Sequence, residues 1–285
     1  MLWLLITVTG VVLSNASLDV AFHDKSSLIV MTSVLLPITT KNLNPDFIKQ
    51  FWVGLMDAEG SIQVNQWRKK NLQFRLVIKL ANLPENVNML KLISNCIGGY
   101  VSFPKSKGVT NVIWKTDDRK IILSILSILE QYPPLTSRLI LQLEFLKECL
   151  AHNSVEKYLQ TRHSKFIYQS NLIDKLNNNF NKPSYFNAWL SGFVEAEASF
   201  VLRKKGYPSF TIGQNNDLYL INFINQQFNG INKVLIKNKN FYVIEIYRKS
   251  LLLNIGAHFV DYPLLGYKNV SYKNWMSVIS SNNTE

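Results

Sequence analysis

The stretch "WVGLMDAEGSI" (Trp52–Ile62) decides the fold, because an apolar segment with helical spacing runs directly into two carboxylates, a glycine and a strand-like tail. Nearly the same order returns at "WLSGFVEAEASF" (Trp189–Phe200). The last acid of the first copy is Glu59, and that of the second is Glu197, 138 residues later. The sequence therefore predicts two copies of one unit, each a helix that ends in acids and leads into a strand.

The charge balance of the 285-residue chain favours an anionic partner. Lys and Arg number 31 against 19 Asp and Glu, which gives a formal net charge of +12. Such a surplus is typical of proteins that bind DNA, RNA or an anionic membrane surface. The two cysteines and four scattered histidines show no spacing of a zinc site.

The repeat continues downstream of the two acidic helices. "EQYPPLTSRLI" (Glu130–Ile140) matches "VDYPLLGYKNV" (Val260–Val270), and each follows an aliphatic run and precedes an amphipathic stretch. Each half reads as helix, two strands, helix, two strands, helix, helix. The predicted divisions are a leader or connector at 1–45, a first half-domain at 46–150, a linker with one helix at 151–184 and a second half-domain at 185–281.

The predicted strands have one apolar and one polar face, as in the alternation that begins at Ile62 and Val64. The apolar face can pack on helices. Gln, Asn, Arg and Lys on the other face are the residue types that contact base edges and phosphates, so we predict a nucleic-acid surface; an ordinary solvated sheet face is the alternative. The predicted contact residues on this face and in its turns are Gln63, Asn65, Arg68, Lys69, Lys70, Gln73, Arg75, Lys79, Arg203, Lys204, Lys205, Lys233, Lys237 and Lys239.

Small residues predict how the two halves meet. Gly54 and Ala58 are four residues apart and share one helix face, and Gly192 and Ala196 repeat that spacing. Small side chains at this spacing allow two helix backbones to approach closely. We therefore expect the two acidic helices to pair with each other as a central seam.

This seam would bring Glu59 and Glu197 side by side at the base of the basic surface. Two adjacent carboxylates repel each other unless a cation lies between them, and the helix C-termini add negative potential. Hard oxygen ligands with few protein donors suit Mg²⁺, which can activate water and stabilise the leaving oxygen of a phosphodiester.

The segment Trp52–Gly60 resembles the LAGLIDADG motif position by position, with Glu59 in the last acidic position, and Leu190–Ala198 resembles a second copy with Glu197 in that position. The chain is similar to monomeric, two-motif LAGLIDADG homing endonucleases over about residues 46–281. The resemblance implies an α+β fold of two pseudo-symmetric αββαββα half-domains with a saddle-shaped antiparallel sheet surface. It also implies cleavage of double-stranded DNA with Mg²⁺ or another divalent cation, with the two glutamates as metal ligands.

The resemblance implies further site residues. In this family a basic residue follows the "YPLL" turn and contacts the water network of the active site; Lys268 and Arg138 hold that position here. A polar residue at the end of the second strand also lines the site, and Gln214 matches it. Its counterpart in the first half is not identified by the sequence, and Lys79 is the nearest candidate.

Two positions depart from the family pattern. Ala198 stands where the motif prefers glycine, and a positive φ there would strain an alanine. Arg138 is a poorer proton-transfer group than lysine because it does not deprotonate. The earlier acids Asp57 and Glu195 are expected to point away from the metals and to accept backbone amides or satisfy helix ends.

The N-terminal region suggests an origin for the gene. Val8–Asp24 resembles a segment of mitochondrial cytochrome c oxidase subunit I. The resemblance implies a reading frame that continues from an exon into an intron, and a protein made in the mitochondrial matrix. Residues 1–45 would then be a dispensable leader, and the mature core would have no stable membrane association.

Three functions fit these features. The first is a sequence-specific double-strand DNA endonuclease of intron homing. The second is an RNA maturase that assists splicing of its host group I intron, with or without cleavage activity, and the third is a DNA-binding regulator that has lost cleavage. Cleavage requires the acid pair and RNA binding does not, so the presence of Glu59 and Glu197 favours the endonuclease.

Overall fold

The computed structural model describes residues 43–104, 110–203 and 206–281. The predictions for residues 1–42, Lys204 and Lys205 therefore lie outside the described part of the chain. All described residues belong to one compact unit.

The first half of the described chain has the predicted order of elements. It comprises α1 (Pro45–Ala58), β1 (Gly60–Trp67), β2 (Asn71–Ala81), α2 (Pro84–Ile97), β3 (Tyr100–Ser102), β4 (Asn111–Thr116), α3 (Arg119–Gln131) and α4 (Ser137–His152). Two short helices, α5 (Val155–Thr161) and α6 (Gln169–Asn179), follow where one was predicted.

The second half repeats the order of the first. It comprises α7 (Phe186–Glu197), β5 (Ala198–Leu202), β6 (Pro208–Asn215), α8 (Leu218–Gln227), β7 (Leu235–Lys237), β8 (Phe241–Ile246), α9 (Lys249–Asp261) and α10 (Lys268–Ser281). The α+β class with two pseudo-repeated halves is therefore confirmed.

Helix boundaries follow local chemistry. Pro84 stands at the start of α2, where its missing N–H costs nothing, and the helix ends at Gly98 with φ 95°. Asp118 caps α3 by accepting from the backbone N–H groups of Lys120 and Ile121, and the Thr136 hydroxyl caps α4.

Each half contains one four-stranded antiparallel sheet. The strand orders are β1-β2-β4-β3 and β5-β6-β8-β7. Gly60 pairs with Ile78 and Ala198 pairs with Ile212, so the strand that follows each acidic helix has the same register in both halves. Alternate residues such as Leu76, Ile78 and Ile212 are fully buried against helices, which leaves the opposite face of each sheet outward.

The acidic helices α1 and α7 form the predicted seam. A methyl group on Gly54 would overlap the carbonyl oxygen of Trp189 and lie 2.9 Å from the backbone nitrogen of Phe193. A methyl group on Gly192 would overlap the carbonyl oxygen of Phe51 and lie 2.9 Å from the nitrogen of Leu55. The backbones therefore touch where glycine was predicted to permit it, and the contact is two-fold symmetric.

None of the helices within 43–104, 110–203 and 206–281 combines the length and the apolar character that crossing a bilayer requires.

Candidate active site and nucleic-acid interface

The two motif glutamates come together at the ends of the seam helices. Glu59 caps the end of α1 and is exposed, and Glu197 is the last residue of α7 and is half-buried. Burial, and next the negative charge of Glu59, raise the pKa of Glu197 to about 7, while Arg138 and Lys268 oppose this shift. The structure thus brings four predicted site residues into one electrostatic cluster.

Asp57 does not belong to that cluster. Its side chain is fully buried and accepts from the backbone N–H of Leu135 at 2.8 Å and of Thr136 at 3.0 Å. The Thr136 hydroxyl (2.5 Å) and the Trp189 indole N–H (2.7 Å) also donate to it. The expectation that Asp57 accepts backbone amides is confirmed, and the carboxylate fixes the loop before α4.

Glu195 does the same in the second half. Its Oε1 accepts from the backbone N–H of Lys268 at 2.8 Å, and the N–H groups of Gly266 and Leu265 also act on the carboxylate. Burial raises the pKa of Glu195 to about 7, and these hydrogen bonds oppose the shift. The first acid of each motif therefore holds the loop that carries the basic site residue of its own half.

Arg138 and Lys268 occupy equivalent positions but have different environments. Arg138 donates to the carbonyl oxygens of Gly60 at 2.6 Å and Asp57 at 2.7 Å, so its guanidinium satisfies the end of α1. Lys268 begins α10, and burial lowers the pKa of its amine, although the charges of Glu195 and Glu197 oppose this. Arg138 is thus locked to the backbone beside the glutamates.

A second set of contacts crosses between the halves. Asp217, at the start of α8, accepts from the backbone N–H of Ser137 at 3.1 Å. In the opposite direction, Asn86 on α2 accepts from the backbone N–H of Tyr267 at 2.9 Å. The residues after Ser137 and Tyr267 are Arg138 and Lys268, so each half supports the basic residue of the other.

Asp217 and Asn86 were not identified from the sequence. Their partners lie far along the chain, and the contact depends on how the halves dock. Burial raises the pKa of Asp217 to about 7, while hydrogen bonds from Ser137 oppose it, and the charge of Asp57 adds to the increase. Tyr219 strengthens the same junction, because its hydroxyl donates to the carbonyl oxygen of Leu135 at 2.6 Å.

The positive φ that would strain an alanine at position 198 does not occur. Ala198 has φ −99° and ψ 163°, an extended conformation that any residue adopts. Glycine is needed at the equivalent Gly60 for space instead, since a methyl group there would overlap the Met56 sulfur and lie 2.6 Å and 2.7 Å from the Met56 Cα and carbonyl oxygen.

Gln214 lies apart from the outward polar residues. It is buried, follows Phe210 and Ile212 on the helix-facing side of β6, and its Oε1 accepts from the Asn215 N–H at 3.1 Å. Its role in the site stays a prediction. The candidate counterpart was wrong, because the strand register makes Leu80, not Lys79, equivalent to Gln214.

The outward face of the first sheet collects predicted contact residues. Gln63 pairs with Arg75 and Asn65 pairs with Gln73, and directly paired residues share a face. Lys79 is exposed beyond them on β2. Sequence reasoning missed Lys115, which pairs with both Val77 and Tyr100 on this face.

The β1–β2 turn carries three exposed cations, Arg68, Lys69 and Lys70. Arg68 and Lys69 have φ of 49° and 60°, and the Lys70 N–H donates to the Trp67 carbonyl at 3.1 Å. A turn with two successive positive φ angles matches the twist of the strands and projects the cations from the sheet end.

Two described cations of the second sheet are bound to one carboxylate. Lys237 is bound to Glu245 at 3.0 Å, and Arg203, directly after β5, is 3.4 Å from the same carboxylate. Lys239 is exposed in the β7–β8 turn. Lys233 was predicted to begin a strand, and this was wrong, because it is exposed in the loop before β7. The described residues thus give the two sheets different outward charge.

Comparison with known proteins agrees with this architecture. The family model described as LAGLIDADG endonuclease matches residues 52–149 and 190–279. A probable intron-encoded endonuclease aI3 of Debaryomyces hansenii is 37% identical over an alignment of 325 residues, which covers 92% of this chain and 47% of the relative. The chain therefore spans about half the length of that relative.

Two further proteins cover more of their own length. A probable intron-encoded endonuclease aI3 of Dictyostelium citrinum is 41% identical, with 84% of this chain and 98% of the relative aligned. The structure of I-SmaMI bound to an uncleaved DNA target in the presence of calcium ions matches with a TM-score of 0.63 and 20% identity, over 85% of this chain and 92% of that one. The structural match supports the fold.

Proposed function

The chain belongs to the LAGLIDADG endonuclease family, and from that premise we propose that it is a sequence-specific double-strand DNA endonuclease that hydrolyses phosphodiesters with a divalent metal ion. One observation carries the proposal. The two motif glutamates end equivalent helices across a seam in which the backbones touch, and the charge of Glu59 acts on Glu197. Glu59 is exposed and Glu197 is half-buried, so neither side chain is sealed in the core.

The donor set fits a metal ion that takes few protein ligands. Two like-charged carboxylates meet at the C-terminal ends of two helices, where the potential is already negative. Within residues 43–104, 110–203 and 206–281, no group of three or more His, Cys, Asp or Glu side chains could hold a metal. Mg²⁺ suits such a site because it keeps waters and binds substrate phosphates through its remaining positions.

Glu59 and Glu197 would hold the metal, which supplies an activated water and charge stabilisation at the leaving oxygen. The chain's own residues then have distinct tasks. Arg138, fixed to backbone carbonyls, provides a permanent positive charge for a phosphate oxygen. Lys268 provides a cation in the other half, held in place by the Glu195 contact to its backbone.

The outward sheet faces would bind the DNA. Amide side chains on the first sheet, Gln63, Asn65 and Gln73, can contact base edges, and the turn cations can contact phosphates. The net charge of +12 would speed association with a polyanion. A monomer suffices in this proposal, because the two halves supply both glutamates.

We further propose an origin in an intron of the mitochondrial gene for cytochrome c oxidase subunit I, and a location in the mitochondrial matrix. The resemblance of residues 8–24 to that subunit supports the origin, and the two relatives are named intron-encoded endonucleases. Maturase activity toward a group I intron RNA is the second candidate, and it does not exclude cleavage.

One experiment tests the proposed function. The purified protein is incubated with Mg²⁺ and with DNA that joins the codons for residues 8–24 directly to the downstream oxidase exon. We expect a double-strand break near the junction, and no break when EDTA replaces Mg²⁺. Intact DNA at all protein concentrations, together with stimulated splicing of the intron RNA, would support the maturase instead.

A further inference from the structure

Lys115 and Glu245 occupy equivalent positions on the two outward sheet faces. Gly60 and Ala198 each directly follow a motif glutamate, and they pair with Ile78 and Ile212. The residues before these partners, Val77 and Thr211, are therefore equivalent. Val77 pairs with Lys115 and Thr211 pairs with Glu245. A positive side chain in the first half thus corresponds to a negative one in the second.

Lys115 is presented as a donor. It pairs with Tyr100 across β3 and β4, and its Nζ lies 5.2 Å from the centre of the Tyr100 ring. The ring supports the ammonium from one side, and the side chain is half-buried rather than extended into solvent. The ammonium has three donor hydrogens, more than this contact uses.

Glu245 is presented as a fixed acceptor. Its Oε1 accepts from Lys237 at 3.0 Å, and its Oε2 accepts from the Tyr247 hydroxyl and lies 3.4 Å from Arg203. These contacts, first those of Tyr247 and Lys237, lower the pKa of Glu245, so the carboxylate is ionised and accepts only. Its side chain is 20% exposed, and Oε1, which accepts only from Lys237, keeps one lone pair for a further donor.

The flanking cations offset the repulsion between the Glu245 carboxylate and the DNA phosphates. An isolated glutamate would repel the phosphate backbone, whereas here Lys237 and Arg203 surround it with positive charge. Arg203 is also held in place, because its guanidinium lies 4.4 Å from the centre of the Tyr247 ring. The cluster therefore fixes the direction of the carboxylate without a net negative charge.

We propose that Lys115 and Glu245 determine specificity at two pseudo-symmetric base pairs of the target, Lys115 by donating to a guanine and Glu245 by accepting from the N4 amino group of a cytosine. In the major groove guanine presents the acceptors O6 and N7, and cytosine presents the N4 donor. Two identical half-sites would both carry guanine at this position. In this target the half-site that Glu245 contacts carries cytosine instead. The inference rests on the proposed sequence-specific DNA binding and deepens it.

The test is a selection from a random double-stranded DNA library in Ca²⁺. Wild type, Lys115→Gln and Glu245→Gln each select bound duplexes, which are sequenced and aligned on the centre of the site. A glutamine side chain pairs with adenine in the major groove, so each variant should prefer adenine at the base pair that it contacts. The base preference at the equivalent position in the other half-site should stay unchanged. We expect a change in preference of about fivefold or more at that position.

Two matched variants serve as controls. Lys147→Gln and Glu130→Gln make the same changes of charge in an exposed ion pair on the helices α3 and α4. They should leave every base preference unchanged. If one sheet variant fails to fold, the other still tests the assignment.

The outcomes distinguish failure of this assignment from failure of the proposed function. If Glu245 only neutralises Lys237 and Arg203, Glu245→Gln will raise affinity for all sequences equally, which overturns the assignment while the proposed function stands. Unchanged preferences in both variants overturn it in the same way. Failure of wild type to enrich any sequence overturns the proposed function and this assignment together.

Discussion

Gly54 and Gly192 occupy equivalent places in the seam, and each lies against the backbone of the other's helix. Gly54 faces Trp189 and Phe193, and Gly192 faces Phe51 and Leu55, at the same spacing along each helix. This close contact sets the separation of the helix ends one turn further on. The position of the glutamate pair therefore depends on two glycines that have no chemical role.

Alanine at Gly54 or at Gly192 should destabilise the fold. The added methyl group meets backbone, which cannot move without separating α1 from α7. We expect a loss of about 3 kcal/mol or more of unfolding free energy, above the usual cost of overpacking, measured by urea denaturation. Gly256→Ala is the control, because its methyl group would meet only the flexible Met276 side chain. Equal effects in all three variants would contradict a rigid seam.

Asp57→Asn should loosen the loop before α4. The carboxylate accepts from two backbone N–H groups, a hydroxyl and an indole, and an amide nitrogen would oppose some of these donors. A loss of about 2–4 kcal/mol is expected from unsatisfied buried donors. Asp174→Asn, an exposed position on α6, should change stability by less than about 0.5 kcal/mol. A similarly small effect at Asp57 would show that the loop is held by other contacts.

His258 should make stability fall under mild acid. Burial lowers the pKa of its imidazole to about 4, and the ring lies among Phe228, Phe259 and Tyr262. The unfolded chain binds the proton more tightly, so unfolding free energy is retained above about pH 6.5 and is lost as the pH falls toward 4.

The loss over this window is at most about 3 kcal/mol, from 1.36 kcal/mol for each pKa unit. His258→Phe keeps a ring in place and should flatten this part of the pH–stability curve, measured by thermal unfolding at several pH values. His152→Gln, at an exposed site, should leave the curve as in wild type. A curve that is as steep in His258→Phe as in wild type would assign the acid sensitivity to other groups.

Lys69→Gln with Lys70→Gln should weaken DNA binding without changing its sequence preference. Both residues are exposed in the β1–β2 turn, where they can contact phosphates. Loss of two phosphate contacts should reduce the slope of log K against log salt by about 1.8. The measurement is a salt titration of affinity for matched and random DNA. An unchanged slope would place the turn away from the DNA backbone.

Much of the fold was predictable because it is encoded locally. Pro84 and Gly98 mark the ends of α2, and the small residues Gly54 and Gly192 mark the seam. The backbone contacts of Asp57 also followed from the motif. These features depend on residues close in sequence or on the repeat itself.

The rest depended on docking and register, which leave no periodic signal. Asp217 meets Ser137 and Asn86 meets Tyr267 only after the halves associate. The equivalence of Lys115 and Glu245 requires the strand pairing. Strain at Ala198 was considered because the motif prefers glycine at that position. The backbone of Ala198 is extended, and the equivalent Gly60 is explained by lack of space for a side chain rather than by its φ.

The most direct test of the paired metal-binding glutamates is Mg²⁺-dependent cleavage by Glu59→Gln and Glu197→Gln, with DNA affinity measured on the same preparations. Each change removes one negative charge and keeps the side-chain size. We predict that each variant loses double-strand cleavage by at least about a hundredfold while its Kd for the target stays within about threefold of wild type. Cleavage at the wild-type rate by either variant, or loss of binding in parallel with cleavage, would contradict it.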